Sequence, residues 1–215
     1  MGAMAEREKE RKKEYIAKRG IKHLYHFTRV ENIENIFKYG VLPISELVKK
    51  EIGFLRNDIN RHDKLVDFTS FSVSFPSYRM LYKLRQQNPE AIFVILELPI
   101  EIIFEKLSYY SYDNAAKMKN YWDRDGIGCL ISMFENPFVG DREATNIPTH
   151  YPTSPEAEIQ VVGKIESSLI QKIIIRDSDL LRRFESDVIK SRLFVVDPSL
   201  FERRMDWRFW QKIKY

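Results

Sequence analysis

Residues 22–40, KHLYHFTRVENIENIFKYG, decide the fold class because a strand pattern changes to a helix pattern within them. KHLYHFT is rich in aromatic residues, which favours a β-strand. In VENIENIFKYG the apolar residues recur at a spacing that places them on one face of a helix. They are Val30, Ile33, Ile36 and Phe37. Gly40 follows as a helix stop signal, so the stretch predicts a strand that leads directly into an amphipathic helix.

Strands and helices alternate irregularly along the rest of the chain. The predicted strands are VDFTSFSVSF, AIFVILELP, EIQVVGKI, QKIIIRD and SRLFVVD. The predicted helices are AEREKERKKEYIAKRG, SYRMLYKLRQQ and SDLLRRFESDVIK, the last capped by Ser178. A further helix is expected within residues 101–122, and IGCLISMF fits either a strand or a helix. Because helices do not separate all the strands, an α+β fold fits better than a doubly wound sheet.

The length and charge of the chain indicate one domain with no bulk affinity for nucleic acid. The 215 residues suit a single domain, predicted over 23–215, after a charged helix over 1–22 whose opening MGAM resembles a cloning remnant. Residues 1–22 hold eight Lys/Arg and four Glu, which accounts for the whole formal charge of +4. The remainder is close to neutral, so a nucleic acid would have to be held by local basic patches.

Cysteine content and hydropathy exclude several other classes. The lone Cys129 rules out an internal disulfide and a cysteine metal site, and its apolar surroundings predict a small buried hydrophobe. No apolar run is long enough to cross a membrane, and the charged N-terminus does not resemble a signal peptide. These features are compatible with a monomeric enzyme of the bacterial cytoplasm.

Polar residues at the edges of apolar strands are the candidates for chemistry. The chain has no phosphate-binding glycine loop, and its histidines lack metal-ligand spacing, so no metal is expected. Glu158 stands immediately before the strand IQVV, at the end of FENPFVGDREATNIPTHYPTSPEA, a long stretch without periodicity. The other candidates are His26, Thr28, Arg61, His62, Asp63, Ser72, Ser74 and Tyr78.

Four segments resemble, in order, the successive motifs of DarT-type DNA ADP-ribosyltransferase toxins. They are LYHFTRVENIENIFKYGVLP, NDINRHDKL, FTSFSVSFPSYRMLYKLR and IPTHYPTSPEAEIQV. The resemblance extends from about residue 22 to residue 163, and more loosely to LFERRMDW near the C-terminus. It implies an α+β ADP-ribosyltransferase fold with a split antiparallel sheet, peripheral helices and NAD+ as co-substrate in the cleft between its halves.

The resemblance also implies roles for particular residues. Glu158 matches the catalytic glutamate and Arg61 the loop arginine, which would serve both catalysis and NAD+ binding. The other residues expected to hold NAD+ are His26, Thr28, Asn32, Ser74, Phe75 and Tyr78. Residues from about 136 to 157 correspond to the substrate loop. The residues expected to meet DNA there are Phe138, Arg142, His150, Tyr151 and Glu156.

Glu156 is an alternative catalytic acid, because a strand extending back from Glu158 would place both side chains on the same face. A carboxylate at a strand edge stabilises the positive charge that forms on the ribose when its bond to nicotinamide breaks.

The predicted activity is transfer of ADP-ribose from NAD+ to guanine or thymine of single-stranded DNA, with the motifs leaning towards the guanine-modifying branch. The resemblance implies a toxin whose antitoxin is an ADP-ribosyl hydrolase of the macrodomain or NADAR type. Two alternatives stay open: an ADP-ribosyltransferase acting on RNA or protein, and a catalytically silent nucleic-acid-binding module.

Overall fold

The computed structural model describes residues 2–55, 65–115, 124–135, 141–183 and 194–211. Two predicted site residues, Arg61 and Phe138, lie outside these ranges, as do His62 and Asp63.

Seven strands and eight α-helices occur in the described ranges. The strands are β1 (His23–Arg29), β2 (Phe68–Val73), β3 (Phe93–Pro99), β4 (Ser108–Ser111), β5 (Glu158–Val162), β6 (Lys172–Ile175) and β7 (Phe194–Val196). The helices are α1 (Gly2–Arg19), α2 (Ile33–Tyr39), α3 (Ile44–Lys49), α4 (Tyr78–Gln87), α5 (Ile102–Glu105), α6 (Ile127–Glu135), α7 (Arg142–Thr145) and α8 (Trp207–Gln211). Short 3₁₀ helices cover Val30–Asn32, Ser167–Leu169, Ser178–Arg183 and Pro198–Phe201.

The strands form one seven-stranded sheet in the order β4-β5-β2-β1-β3-β6-β7. Neighbouring strands are antiparallel except for β6 and β7, which run parallel at the edge. The predicted α+β class is confirmed, and the sheet is mixed only at this last pair of described strands.

The centre of the sheet is split between β1 and β2. β1 pairs with β3 along its whole length, from His23 opposite Pro99 to Arg29 opposite Phe93. Towards β2, by contrast, its ladder consists of Leu24 opposite Val73 and Tyr25 opposite Ser72. The two strands diverge beyond this short contact. The expected split sheet is therefore present, and the opening lies between its two central strands.

Helices cover both faces of the sheet. On one face α1, α2 and α6 contribute to a core with Leu24, Leu96 and Ile159 from the strands. On the other face α4 and the 3₁₀ helix Pro198–Phe201 pack against Tyr25 and Ile95. The alternation of side chains along β1 and β3 supplies apolar residues to both layers.

The structure differs from the sequence-based elements in two places. The sequence predicts a helix within residues 101–122, and the described part of this range holds the four-residue helix α5 together with a strand that was not predicted, β4. Pairing with β5 places Tyr110 in the core, where it is 1% exposed, so tertiary contacts decide the conformation of a short segment without clear periodicity. The segment beginning at Ser178 is a 3₁₀ helix in its described part.

The structure also decides the conformation of IGCLISMF and of the N-terminal segment. IGCLISMF is helical, as part of α6, and the charged N-terminal segment forms the predicted helix α1. Cys129 is half-buried against the core rather than fully enclosed. In the described part of the chain no helix is long and apolar enough to cross a membrane.

A buried ion pair near the C-terminus fixes the segment that precedes β5. Arg204, 2% exposed, donates from Nε and Nη2 to the two carboxylate oxygens of Asp206, at 2.7 and 2.6 Å. Its Nη1 and Nη2 also donate to the carbonyls of Pro152 (2.9 Å) and Thr153 (2.8 Å). Trp210 Nε1 donates to the same aspartate at 2.6 Å. The RMDW motif is therefore a structural clamp on the end of the long loop.

Replacing Arg204 with Met should destabilise the fold strongly, because Asp206 would remain buried without its charged partner. We expect the free energy of unfolding, measured in urea, to fall by about 3–5 kcal/mol. The control is Arg176→Met, which removes an exposed pair with Glu202 (3.1 Å) and should cost at most about 1 kcal/mol. Equal losses of unfolding free energy in the two variants would contradict a special structural role for the buried pair of Arg204 and Asp206.

Gly40, which ends α2, is required by both its conformation and its surroundings. Its φ is +86°, and a Cβ there would lie 2.4 Å from the carbonyl oxygen of Ile165. Gly20 has a φ of +71° but nothing within 4 Å of such a Cβ.

Gly20→Ala should therefore cost only the left-handed backbone, about 1–2 kcal/mol. Gly40→Ala adds the clash with Ile165 and should cost more, roughly 3 kcal/mol or above. Thermal and urea unfolding of the two variants separate the cost of the left-handed backbone from the cost of the clash with Ile165. Equal destabilisation would show that the backbone at Ile165 shifts to accept the methyl group with little loss of stability.

Candidate active site

A cavity of about 280 Å³ opens where β1 and β2 diverge. The two strands form its walls, and residues of α2, α3 and α4, together with Asn114 and Ala115, complete the lining. Most lining side chains are apolar, with a few convergent polar groups, which is the usual make-up of a small-molecule site.

Glu158 is the only carboxylate that lines the cavity among the residues that the structure describes. It is the first residue of β5, where it stands opposite Ser72 of β2 and Ser111 of β4. Ser72 is also opposite Tyr25 of β1, so the side chains of Tyr25, Ser72 and Glu158 share one face of the sheet. Glu158 Oε1 accepts a hydrogen bond from the backbone N–H of Ala115 at 3.2 Å. Strands on both sides thus hold the carboxylate at the cavity.

His26 and Thr28 lie in the β1 wall of the cavity. The Nδ1 atom of His26 is 3.1 Å from the carbonyl oxygen of Ser70, so the imidazole reaches across the gap between the diverging strands. Its ring centroid is 5.6 Å from that of Phe71. Thr28 is 4% exposed, and its Oγ1 accepts a hydrogen bond at 3.0 Å from Nδ2 of Asn32.

Asn32 also lines the cavity, but its amide is used to hold the main chain. Nδ2 donates to the carbonyl of Leu55 at 3.0 Å, and Oδ1 accepts from the N–H of Leu55 at 2.9 Å. One turn later, Nδ2 of Asn35 donates to the carbonyl of Gly53 at 2.8 Å. The two asparagines therefore attach the chain that leads into residues 56–64, which include Arg61.

Ser74, Phe75 and Tyr78, expected in the nicotinamide wall, lie beside the cavity rather than in its described lining. They form the turn from β2 into α4. Ser74 has a φ of +59° and donates its N–H to the carbonyl of His23 at 3.0 Å. Phe75 packs on Tyr151, with ring centroids 5.6 Å apart. Tyr78 is 7% exposed, and burial raises its pKa to about 12.

Other residues of the same segment line the cavity instead. Ser70 and Ser72 do so on β2, and Ser77 and Met80 do so at the start of α4. Ser72 Oγ accepts a hydrogen bond from the N–H of Ser77 at 2.9 Å, which ties the end of β2 to α4. The signal in the sequence was the alternation in FTSFSVSF, which puts Ser70 and Ser72 on one face.

The predicted DNA residues lie along the segment before β5. Arg142 donates to three loop carbonyls, those of Pro148 (2.8 Å), Thr149 (3.1 Å) and Tyr151 (2.7 Å). Burial and the nearby cations Arg19 and Arg204 lower its pKa. Arg142 thus holds the loop together.

His150 and Tyr151 form an edge-to-face pair with ring centroids 4.7 Å apart. Burial and nearby cations, chiefly Arg142, lower the pKa of His150. The two rings are joined to the β2–α4 turn through the contact of Tyr151 with Phe75.

Glu156 lies in a turn outside the cavity wall, with Oε2 3.8 Å from Nη1 of Arg79. β5 begins at Glu158, so the strand does not extend back to Glu156 and the two carboxylates are not consecutive residues of one strand face.

The cavity has the groups needed to hold a dinucleotide. Its polar lining includes hydroxyls, imidazole and amide groups on β1, β2 and α2, and apolar residues complete its walls. Thr69, in the β2 wall, also lines the cavity, and its Oγ1 is buried without a hydrogen-bond partner. No group of three or more His, Cys, Asp or Glu within the described ranges has the arrangement of a metal site.

A split central sheet with a cavity between its halves and a carboxylate at the cavity is the arrangement that the sequence resemblance to ADP-ribosyltransferases implies. The comparisons with known proteins name the family. A family model described as "DarT: ssDNA thymidine ADP-ribosyltransferase, DarT" matches residues 25–207. The chain belongs to this family. A comparison with curated proteins finds no match.

Solved DarT structures have the same fold. Thermosipho africanus DarTG in complex with ADP-ribose superposes with a TM-score of 0.60 at 21% identity, covering 84% of this chain and 51% of that one. The present chain thus spans about half the length of that relative. Thermus sp. 2.9 DarT in complex with NAD+ has a TM-score of 0.55 at 13% identity, covering 84% and 97%. The same protein with ADP-ribosylated single-stranded DNA has a TM-score of 0.58 at 14% identity, covering 84% and 96%.

Asn32→Ala should release Leu55 from the start of α2, because it removes both hydrogen bonds to that residue. We expect amide hydrogen exchange at residues 53–55 to rise roughly tenfold, in line with about 1–2 kcal/mol for the lost bonds. Asn88→Ala removes a comparable bond to the carbonyl of Leu84 (3.2 Å) and should leave exchange at 53–55 unchanged. Unchanged exchange in the Asn32 variant would show that other contacts hold this segment.

Proposed function

We propose that this protein transfers ADP-ribose from NAD+ to a nucleobase of single-stranded DNA. The family description names this reaction, and two structures of the Thermus relative contain NAD+ or ADP-ribosylated single-stranded DNA. The cavity between β1 and β2 is the proposed NAD+ site.

The observation that carries the proposal is the position of Glu158. Breaking the bond between nicotinamide and the ribose C1′ leaves positive charge on C1′ and the ring oxygen. A carboxylate fixed at the end of a strand stabilises that charge without having to move during the reaction. β5 is paired on both sides at Glu158, and the N–H of Ala115 orients the carboxylate further.

The transfer requires one proton acceptor near the nucleobase that is modified. The C1′–N bond to nicotinamide breaks, nicotinamide leaves with the electron pair, and a bond forms between C1′ and a nucleophilic nitrogen of the base. The proton of that nitrogen passes to a general base, a role that the Glu158 carboxylate fits. NAD+ supplies the ADP-ribosyl group and the leaving group.

The residues proposed to hold NAD+ are those of the cavity wall and its rim. His26, Thr28 and Asn32 belong to the wall. Ser74, Phe75 and Tyr78 support it from the β2–α4 turn. Arg61 stays a proposed phosphate or transition-state contact, since guanidinium remains charged at any physiological pH.

The segment before β5 is proposed to bind the DNA strand. Single strands are held by stacking of bases on aromatic rings and by contacts to phosphates. His150 and Tyr151 supply rings at the rim of the site, and Phe138 is proposed to add another. Arg142 is proposed to act by holding this segment in place, and Glu156 to contact the substrate from the turn before β5.

Thymine is the proposed target base, following the family description, and guanine is the alternative that the sequence motifs favoured. A toxin role in the bacterial cytoplasm, countered by an ADP-ribosyl hydrolase of the macrodomain or NADAR type, is proposed by analogy with DarTG. A monomer satisfies the proposed mechanism, because every residue that it uses comes from one chain.

Glu158→Gln should abolish most of the transfer while keeping the shape of the site. We expect the rate to fall by roughly 10²–10³-fold or more, as when a preorganised electrostatic group is removed. The assay mixes protein, NAD+ and a single-stranded oligonucleotide of mixed sequence. Mass spectrometry then measures the gain in oligonucleotide mass that corresponds to one ADP-ribose. Glu166→Gln, an exposed carboxylate paired with Lys164 (2.8 Å), is the matched control and should retain activity.

The same assay separates the alternatives. Digestion of the modified oligonucleotide to nucleosides identifies thymine or guanine. Labelling of RNA or protein with none on DNA would keep the NAD+ site and change the substrate. Absence of NAD+ consumption with any of these substrates would leave a nucleic-acid-binding module and overturn the enzymatic proposal.

A further inference from the structure

The charged helix α1 carries an arginine that reaches the segment proposed to bind DNA. Arg19 is the last residue of α1 and precedes residues 25–207, which the family model matches. Its side chain is 14% exposed, although the helix is otherwise highly charged and largely solvated. Ile16 and Ile21, each 4% exposed, fix this end of the helix in the core.

The guanidinium of Arg19 joins three separate parts of the molecule. Nη1 donates to the carbonyl of Thr149 at 3.1 Å, and Nε donates to the hydroxyl of Tyr15 at 2.6 Å. Nη2 donates to Oε1 of Glu135, the last residue of α6, and Tyr15 donates to the same oxygen at 2.8 Å. Thr149 Oγ1 donates back to the carbonyl of Arg19 at 3.3 Å. Arg19 thus holds the residues on both sides of 136–148.

Two cations share the same partners at this place. Arg142 donates to the carbonyl of Thr149 at 3.1 Å, the same oxygen that Arg19 contacts at 3.1 Å. The guanidinium carbons of Arg19 and Arg142 lie 4.6 and 6.0 Å from the ring centroid of Phe134. Like charges this close repel, and the carboxylate of Glu135 compensates them. Burial acts to raise the pKa of Glu135, but hydrogen bonds from Arg19 and Tyr15 outweigh it and the pKa is lowered.

Thr149, which Arg19 holds, is next in sequence to the rings proposed to bind DNA. Thr149 is followed by His150 and Tyr151, and Tyr151 packs on Phe75 at the rim. Arg204 donates to the carbonyls of the next residues, 152 and 153. The chain between α6 and β5 is therefore fixed at successive points, and Arg19 supplies the one that comes from outside the matched family region.

We propose that Arg19 is a positioning residue that orients the segment 141–151 for binding of single-stranded DNA. This inference rests on the proposed function, and it differs from a direct contact of α1 with DNA. Three of the five N–H donors of this guanidinium are bonded to protein groups, and with the side chain 14% exposed the other two have limited access to a phosphate. The substrate loop then depends on α1 for its conformation, and the NAD+ cavity does not, because no residue of α1 lines it.

The test measures steady-state kinetics with NAD+ and a single-stranded oligonucleotide for wild type, Arg19→Ala, Arg19→Lys and Arg11→Ala. Arg11 lies on the same helix, is 63% exposed and pairs only loosely with Glu8 (3.9 Å), so its variant should behave as wild type. Arg19→Ala should raise KM for the oligonucleotide roughly five- to tenfold, with KM for NAD+ within about twofold of wild type.

Arg19→Lys distinguishes positioning from a direct phosphate contact. Lysine keeps the charge but lacks the planar donor fork that reaches three partners, so positioning predicts that KM for the oligonucleotide stays raised. A wild-type KM in the lysine variant would assign Arg19 to the DNA phosphates and overturn the inference. An unchanged KM in Arg19→Ala, or an equal rise in both KM values, would also overturn it.

Hydrogen exchange tests the anchoring without reference to activity. Amides of residues 147–151 should exchange faster in Arg19→Ala than in wild type or Arg11→Ala, and unchanged exchange would overturn the anchoring. Failure of the wild type to modify DNA would overturn the proposed function and the DNA part of this inference, whereas the anchoring would still stand or fall on the exchange rates.

Discussion

The short ladder between β1 and β2 is the constraint on which the rest of the site depends. On its outer side β1 pairs with β3 along its whole length and β2 pairs with β5 from Phe68 to Ser72, whereas β1 and β2 share only a brief ladder with each other. Backbone groups that leave a ladder need other partners when they are buried. The imidazole of His26 contacts one such group, the carbonyl of Ser70, and the space left between the two strands is the cavity.

Buried polar interactions outside the cavity set the position of the chain that reaches Glu158. Thr153 bonds to the end of α6 through its N–H, which donates to Met133 at 2.9 Å, and through its hydroxyl, which donates to Phe134 at 2.8 Å. Arg204, paired with Asp206 in the interior, donates to the carbonyl of the same residue. The segment between α7 and β5 becomes fixed in this way, because arginine side chains donate to the carbonyls of residues 148, 149, 151, 152 and 153.

The sequence predicted those parts of the molecule in which local pattern and tertiary contact agree. The strand and helix of residues 22–40, the strands β3 and β5 and the split ADP-ribosyltransferase sheet are confirmed. β4 was missed because SYYS has no long periodic pattern, and its conformation follows from its pairing with β5. The several carbonyl partners of Arg142 could not be predicted either, since they belong to a segment without periodicity whose path is fixed by long-range contacts.

The choice between Glu156 and Glu158 shows what the sequence alone could not decide. A period of two would place both carboxylates on one face if β5 extended back by two residues. In the structure the ladder of β2 and β5 reaches Glu158 opposite Ser72, and Ser74 then takes a left-handed conformation that turns the chain towards α4. With no partner strand beyond this point, residue 156 leaves the sheet and meets Arg79 instead. The turn after β2 thus limits the length of β5 and leaves Glu158 as the carboxylate at the cavity.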